Sequence, residues 1–168
     1  MSFKEINVSE LSLNPFEKVG KQWFLVSAGD EKTLNMMTAA WGGMGVMFHK
    51  NVFTTVIRPT RKTFENVSEN ENFVISFLPE KYREKMAFCG KASGHDCDKV
   101  KESGLTPVKL PCGEFTFAEA ELVFVCKKLY TQPMDLSGLA ESEMHWYTGG
   151  DAPHVAFTGE IFAAYSNK

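Results

Sequence analysis

The densest set of chemically capable residues in the chain is Arg58-Pro59-Thr60-Arg61-Lys62-Thr63. Three cations and two hydroxyls share one turn, where a strand ends, proline redirects the chain and a helix is expected to start at Thr63. Free N–H groups at a helix start attract an anion, and the aligned peptide dipoles add about half a positive charge there. Arginine contributes the bidentate geometry that phosphate oxygens accept. The pattern fits a phosphate site with Arg58, Thr60, Arg61 and Thr63 as its ligands. It also fits an ordinary solvated loop, because short basic patterns recur by accident.

A second segment is Asn35-Met36-Met37-Thr38-Ala39-Ala40-Trp41-Gly42-Gly43. Small residues followed by glycines allow a flat ligand to approach the backbone, and Trp41 offers a stacking wall. The plainer reading is that the methionines fill an irregular core. A third is Ser93-Gly94-His95-Asp96-Cys97-Asp98-Lys99, where Ser93 or Asp96 would cap a helix over 96–103. Adjacent residues on one turn rarely converge on one ion, so no metal site is read there. The fourth is Asp151-Ala152-Pro153-His154, whose histidine leads into the last strand beside a glycine-rich loop. A lone histidine is more often structural than catalytic, and His154 is retained as the one catalytic candidate. No G-x-G-x-x-G, Walker loop or G-x-S-x-G elbow occurs, so Rossmann-type binding, nucleotide hydrolysis and serine-esterase chemistry have no support.

The elements that must position these residues read as mostly β. Strands are expected over 22–29, from Leu34 through the glycines that follow Trp41, and over 51–58 and 72–78. Others are expected over 115–118, 121–130 and 155–165. Short helices are expected from Thr63, over 80–89 with Gly90 as C-terminal cap, and over 96–103 closed by Gly104. Residues 131–150 read as irregular. Six or seven strands with helices that do not alternate with them argue for a mostly antiparallel β-barrel with peripheral helices, in a single domain spanning 1–168.

With 168 residues and 43% hydrophobic content the chain can bury a core without metal or disulfide. A net charge of −3 provides no footprint for nucleic acid or an anionic membrane, so any anion must be bound locally. No apolar run approaches the ~18 residues of a membrane span, and the polar MSFKEINVSEL start is unlike a signal peptide. A cytoplasmic location is therefore expected. Cys89, Cys97, Cys112 and Cys126 form no C-x-x-C pair and read as unpaired fillers, with only Cys97 near solvent and none of them catalytic.

Taken in order, NMMTAAW with its glycines, VIRPTRKT, NFVISFLP, GKASGHDCDK and DAPHVAFTGEI resemble the flavin reductase-like family, in particular its flavoredoxin branch. The likeness runs from about Asn14 to Tyr165. It implies an FMN-binding split barrel and a homodimer with one FMN per subunit. It implies that the loop matching Arg58 to Thr63 holds the FMN phosphate and that Asn35 to Trp41 lies along the ring and ribityl chain. Ser93, Gly94 and Lys99 would border the phosphate and ribityl end, and His154 would approach the flavin. Ala39 and Ala40 stand where relatives often carry a hydroxyl, so backbone N–H would replace a side-chain bond to the ring. Two functions follow from the resemblance: an oxidoreductase passing electrons from NAD(P)H through FMN to an acceptor, or an FMN electron carrier reduced by a protein partner. A barrel holding another phosphorylated ring, such as pyridoxal phosphate, is the third reading.

Overall fold

The computed structural model describes residues 3–150 and 152–167. Its strands are β1 (Lys4–Glu5), β2 (Phe24–Ala28), β3 (Asn35–Ala39), β4 (Gly42–Met47) and β5 (Lys50–Ile57), then β6 (Asn72–Phe77), β7 (Pro107–Lys109), β8 (Phe115–Phe117), β9 (Leu122–Pro133) and β10 (Val155–Ser166). Three α-helices interleave: α1 (Lys62–Glu69), α2 (Arg83–Lys91) and α3 (Lys99–Ser103). The main sheet runs β3-β2-β6-β9-β10-β5-β4, every pairing antiparallel, with β1 added beside β10. β7 and β8 form a separate hairpin.

β3 and β4 lie at opposite ends of that order, yet only Ala40 and Trp41 separate them in the chain. Three residue steps reach ~11 Å at most, so the two ends of the sheet must meet and the sheet must curl. The expected antiparallel barrel results. Its interior is aromatic: Phe24, Phe53, Phe73, Phe77 and Phe124 are fully buried. Their rings meet edge to face, Phe24 on Phe53 at 5.1 Å and Phe77 on Phe124 at 5.7 Å. The alternate residues Leu25, Met36, Val74 and Val123 face outward into a second apolar layer that α2 covers with Met86 and Cys89.

Several local expectations are corrected. Helix α1 starts at Lys62, with Arg61 at the N-cap position, so Thr63 lies inside the helix and caps nothing. Gly90 does not end α2, which continues to Lys91; an added Cβ there would sit 3.3 Å from the Cβ of Thr38. The helix expected from residue 96 begins only at Lys99. Its cap is Asp98, which accepts from the Lys101 N–H, and Gly104 closes it at φ +63°. Cys97 thus precedes the helix. β1 and β7 escape sequence reading because two or three residues hold no periodicity, and β9 extends past Tyr130 to Pro133 because β10 pairs with it throughout. Cys97 is half-buried, whereas Cys112 is the exposed thiol.

At the seam, Gly42 has φ +147°, and a Cβ on it would lie 2.2 Å from the Thr54 carbonyl oxygen. Gly45, in the same strand, meets nothing within 4 Å. Gly42→Ala is therefore expected to cost about 2–4 kcal/mol, from strain and the clash together. Gly45→Ala should stay within about 0.5 kcal/mol. Urea denaturation midpoints of the two variants check this, and equal midpoints would contradict the seam geometry.

Candidate functional site

Helix α1 opens without a side-chain cap, because Arg61 at the N-cap position is extended and makes no capping bond. Its amide is already used, donating to the Arg58 carbonyl across the turn. Among the described residues no acceptor reaches the N–H groups of Lys62 and Thr63, so the first turn offers two free backbone donors. Thr63 is fully buried, and its Oγ1 accepts from Asn35 Nδ2 at 2.8 Å. That bond leaves the hydroxyl proton of Thr63 to be donated elsewhere. Gly94 closes on the same point: a Cβ there would lie 2.7 Å from Asn35 Oδ1 and 2.9 Å from Lys62 Cβ. Three segments far apart in sequence therefore converge on one cradle of donors.

Behind the cradle lies a cavity of about 640 Å³ walled by α1, the β2–β3 turn, residues 94–100 and the β7–β8 hairpin. On its wall Asn66 Nδ2 ties the helix to the carbonyls of Ala28 and Thr33, while its buried Oδ1 has no partner. Lys99 also lines it, 2% exposed, with Nζ donating to the Cys89 carbonyl at 3.0 Å. Burial drives the Lys99 pKa from 10.5 down to about 8, and the Arg61 guanidinium pushes the same way. His95 is drawn aside to Glu65 at 3.3 Å. The Ser93 carbonyl and hydroxyl are occupied by the amides of residues 95–97. Three of the thiols are held protonated: burial pushes Cys89 and Cys126 up, and burial followed by the Glu102 charge raises Cys97.

A second cluster forms at the seam. The antiparallel register Val155↔Ile57 sets His154 opposite Arg58, and Val155↔Pro133 sets it opposite Met134, whose N–H donates to the His154 carbonyl. The His154 ring lies 5.1 Å from that of Trp41, and Trp146 stands edge-on to Trp41 at 4.9 Å. Arg58 Nη2 donates to the Trp146 carbonyl at 3.0 Å, and the guanidinium carbon lies 5.8 Å from the Tyr147 ring. Burial, helped by the Arg58 charge, lowers the His154 pKa from 6.5 to about 4, so the imidazole is neutral at physiological pH. Asp151 lies outside the described residues.

The flavin reductase like domain, as a sequence family, matches residues 16–168. The chain belongs to this family. No curated protein sequence matches it. Among solved structures, an FMN-binding domain of a flavin reductases-like enzyme from Shewanella baltica superposes with a TM-score of 0.71 at 17% identity, covering 98% of this chain and 77% of that one. Flavoredoxin from Methanosarcina acetivorans gives 0.69 at 21%, covering 95% and 76%. The NADH:FAD oxidoreductase of Streptomyces globisporus gives 0.64 at 16%, covering 86% and 74%. At these identities the likeness establishes the fold, which is the split barrel of flavin reductase-like proteins.

Within this flavin reductase-like chain the β3 segment divides by strand alternation. Met37 and Ala39 point into the barrel, Met36 into the layer under α2, and Thr38 donates its hydroxyl to the Met86 carbonyl at 2.5 Å. Asn35 at one end and Trp41, just beyond the other, reach the two clusters with their side chains. Arg58 and Arg61 part company, the first toward Trp146 and the second at the helix start, while Thr60 is exposed. Sequence reasoning passed over Asn66, Trp146 and Tyr147. The run His145-Trp146-Tyr147 was the available signal, an aromatic cluster inside an otherwise loose stretch.

The depressed Lys99 pKa fixes the sign of a pH effect. Unfolded Lys99 titrates near 10.5 and folded Lys99 near 8, so burial of the ammonium costs stability below pH 8. That cost, on the order of 3 kcal/mol, fades as pH rises from 8 to 10.5. Lys99→Met should be more stable than the parent at pH 7, with the difference closing by pH 10.5 in urea titrations. A pH-independent difference would contradict the burial assigned to this ammonium.

Proposed function

We propose that this chain is an FMN-dependent oxidoreductase that passes electrons from NAD(P)H through the flavin to an acceptor. The observation that carries the reading is the uncapped start of α1, with two free backbone N–H groups, the spare Thr63 hydroxyl and Arg61 gathered at one point. A phosphate monoester fits this donor set, and the missing Cβ of Gly94 lets that segment close against Asn35 and Lys62 beside it. From there β3 covers ~13 Å between Asn35 and Ala39 and leads through Ala40 to Trp41 and the aromatic cluster, which suits a ribityl chain followed by a planar ring. Arg61, Lys62 and Thr63 would hold the phosphate, and the backbone of 38–41 with the Trp41 ring would orient the isoalloxazine. Bound FMN supplies the chemistry, taking up two electrons as hydride and releasing them to an acceptor. The protein's own part is to fix the ring, exclude water beside it with Trp41 and Trp146, and present His154 as an uncharged group.

A second reading, an electron carrier reduced by a protein, is favoured by the exposure of Trp41 and Trp146, 39% and 45%, where a partner could reach the ring. We further propose that the chain acts as a homodimer. Its β4–β5 hairpin tip presents Val46, Met47 and Phe48 at 74%, 42% and 62% exposure, an apolar patch that a second copy would cover. Phe48 and His49 both occupy the left-handed region there, φ 54° and 57°, as the two-residue turn of a β-hairpin requires.

Arg61→Ala should weaken FMN about 10–100-fold by removing a charge-assisted bond, while riboflavin, which lacks the phosphate, is bound as before. Fluorescence titration of the apoprotein measures both, and equal losses would overturn the phosphate assignment. The FMN-loaded protein should sediment as a dimer, against which a monomer would count decisively. Stopped-flow mixing with NADH and NADPH separates the two electron sources: rapid bleaching of the flavin supports the enzyme, and none supports the carrier.

A further inference from the structure

The run from Leu129 to Asn167 contains no lysine or arginine, yet it carries Asp135, Glu141, Glu143, Asp151 and Glu160. Two of these acids stand on the 3-10 helix Glu141–Tyr147, which buries only Tyr147. Its other six residues are exposed, Met144 and Trp146 among them. The Trp146 indole donates to Glu143 Oε2 at 3.2 Å and meets the exposed ring of Trp41 at 4.9 Å. Arg58 meets this segment at the Trp146 carbonyl and at the ring of Tyr147, the residue the helix buries. Trp41, Met144 and Trp146 therefore form an exposed apolar surface with carboxylates set into it. An apolar patch with a polar rim marks a contact surface, and tryptophan and methionine are the residues that interfaces favour. A second copy of the chain fits this face poorly, because a twofold contact would bring two acidic surfaces together.

We propose that this surface docks a redox protein whose cofactor edge is ringed by lysine and arginine, and that the flavin exchanges electrons with that protein across the Trp41–Trp146 contact. The electron exchange rests on the function proposed above, which sets the flavin ring at Trp41; the docking face does not. Complementary charge steers the encounter and fixes its orientation, while the few exposed apolar residues keep the contact small. Redox encounters are of this small kind, since the partners must separate after each transfer. Reduced FMN carries two electrons, which pass singly to two acceptor molecules, and the protons taken up on reduction are released as the flavin is reoxidised.

The test uses ¹⁵N-labelled protein, with and without FMN, a basic cytochrome c as the probe and an acidic iron–sulfur ferredoxin as the counter-probe. Ferric cytochrome c should shift or broaden the amides of residues 141–146 and the indole N–H groups of Trp41 and Trp146, whether or not FMN is present. Its Kd should rise about tenfold when salt is raised from about 20 to about 200 mM. The ferredoxin should leave these signals in place. Glu141→Gln should weaken cytochrome binding about 3-fold and Glu141→Lys about 10-fold. Glu84→Lys, the same charge reversal at an exposed position on α2, should leave it unchanged. A cytochrome that binds elsewhere or not at all, a Kd indifferent to salt, or an equal loss in Glu84→Lys overturns the docking face. Anaerobic reduction of the cytochrome by the reduced, FMN-loaded protein tests the electron exchange separately, and its second-order rate should fall by the same factors in the Glu141 variants. Docking at 141–146 with an unchanged rate contradicts the placement of the flavin at Trp41, while the docking face stands on its own.

Discussion

The hydrogen bond from Asn35 Nδ2 to Thr63 Oγ1 joins the first residue of β3 to the first turn of α1, and both residues are buried. Losing either partner would strand a buried polar group, at about 1–3 kcal/mol. Its larger consequence is directional. Because Asn35 occupies an acceptor site of Thr63, the hydroxyl proton stays available, and because Thr63 is held inside the helix no side chain turns back to cap the N–H groups. The helix start is thereby kept as a donor site and Gly94 is packed over it, its missing Cβ leaving just enough room beside Asn35 and Lys62.

The aromatic cluster depends on the barrel seam in a similar way. Two residues link the opposite ends of the sheet, and the second of them is Trp41. The strand registers then bring Arg58, Met134 and His154 to one level beside it. The donor cradle and the aromatic cluster are thus at the two ends of β3, held apart by a strand whose own side chains are committed to the barrel interior and to α2. This explains why a segment so suggestive in sequence contributes mainly backbone and its terminal residues.

The dense apolar runs of β2, β6 and β9 were legible because burial on both faces leaves a continuous hydrophobic signature. The Arg58–Thr63 turn was legible because proline, hydroxyls and cations are local signals. Helix boundaries were less so. Asp98 rather than Ser93 or Asp96 caps α3, since a cap is chosen by where the following turn packs, and here Lys99, the first helical residue, is buried with its ammonium on the Cys89 carbonyl. Arg58 could not be separated from Arg61 by sequence, because the separation follows from the register of β5 against β10. The pairing of Tyr147 with His154 is a product of that register together with the 141–147 turn, and no local pattern encodes it.

The most direct measurement of the central claim follows the backbone amides of Lys62 and Thr63 by ¹H–¹⁵N spectroscopy as flavins are added to the apoprotein. FMN should shift both amide protons strongly downfield, as hydrogen bonds to a phosphate do. Riboflavin should leave them in place while still perturbing the Trp41 indole. Amides that ignore FMN, or that respond equally to riboflavin, would show that the start of α1 does not hold the phosphate.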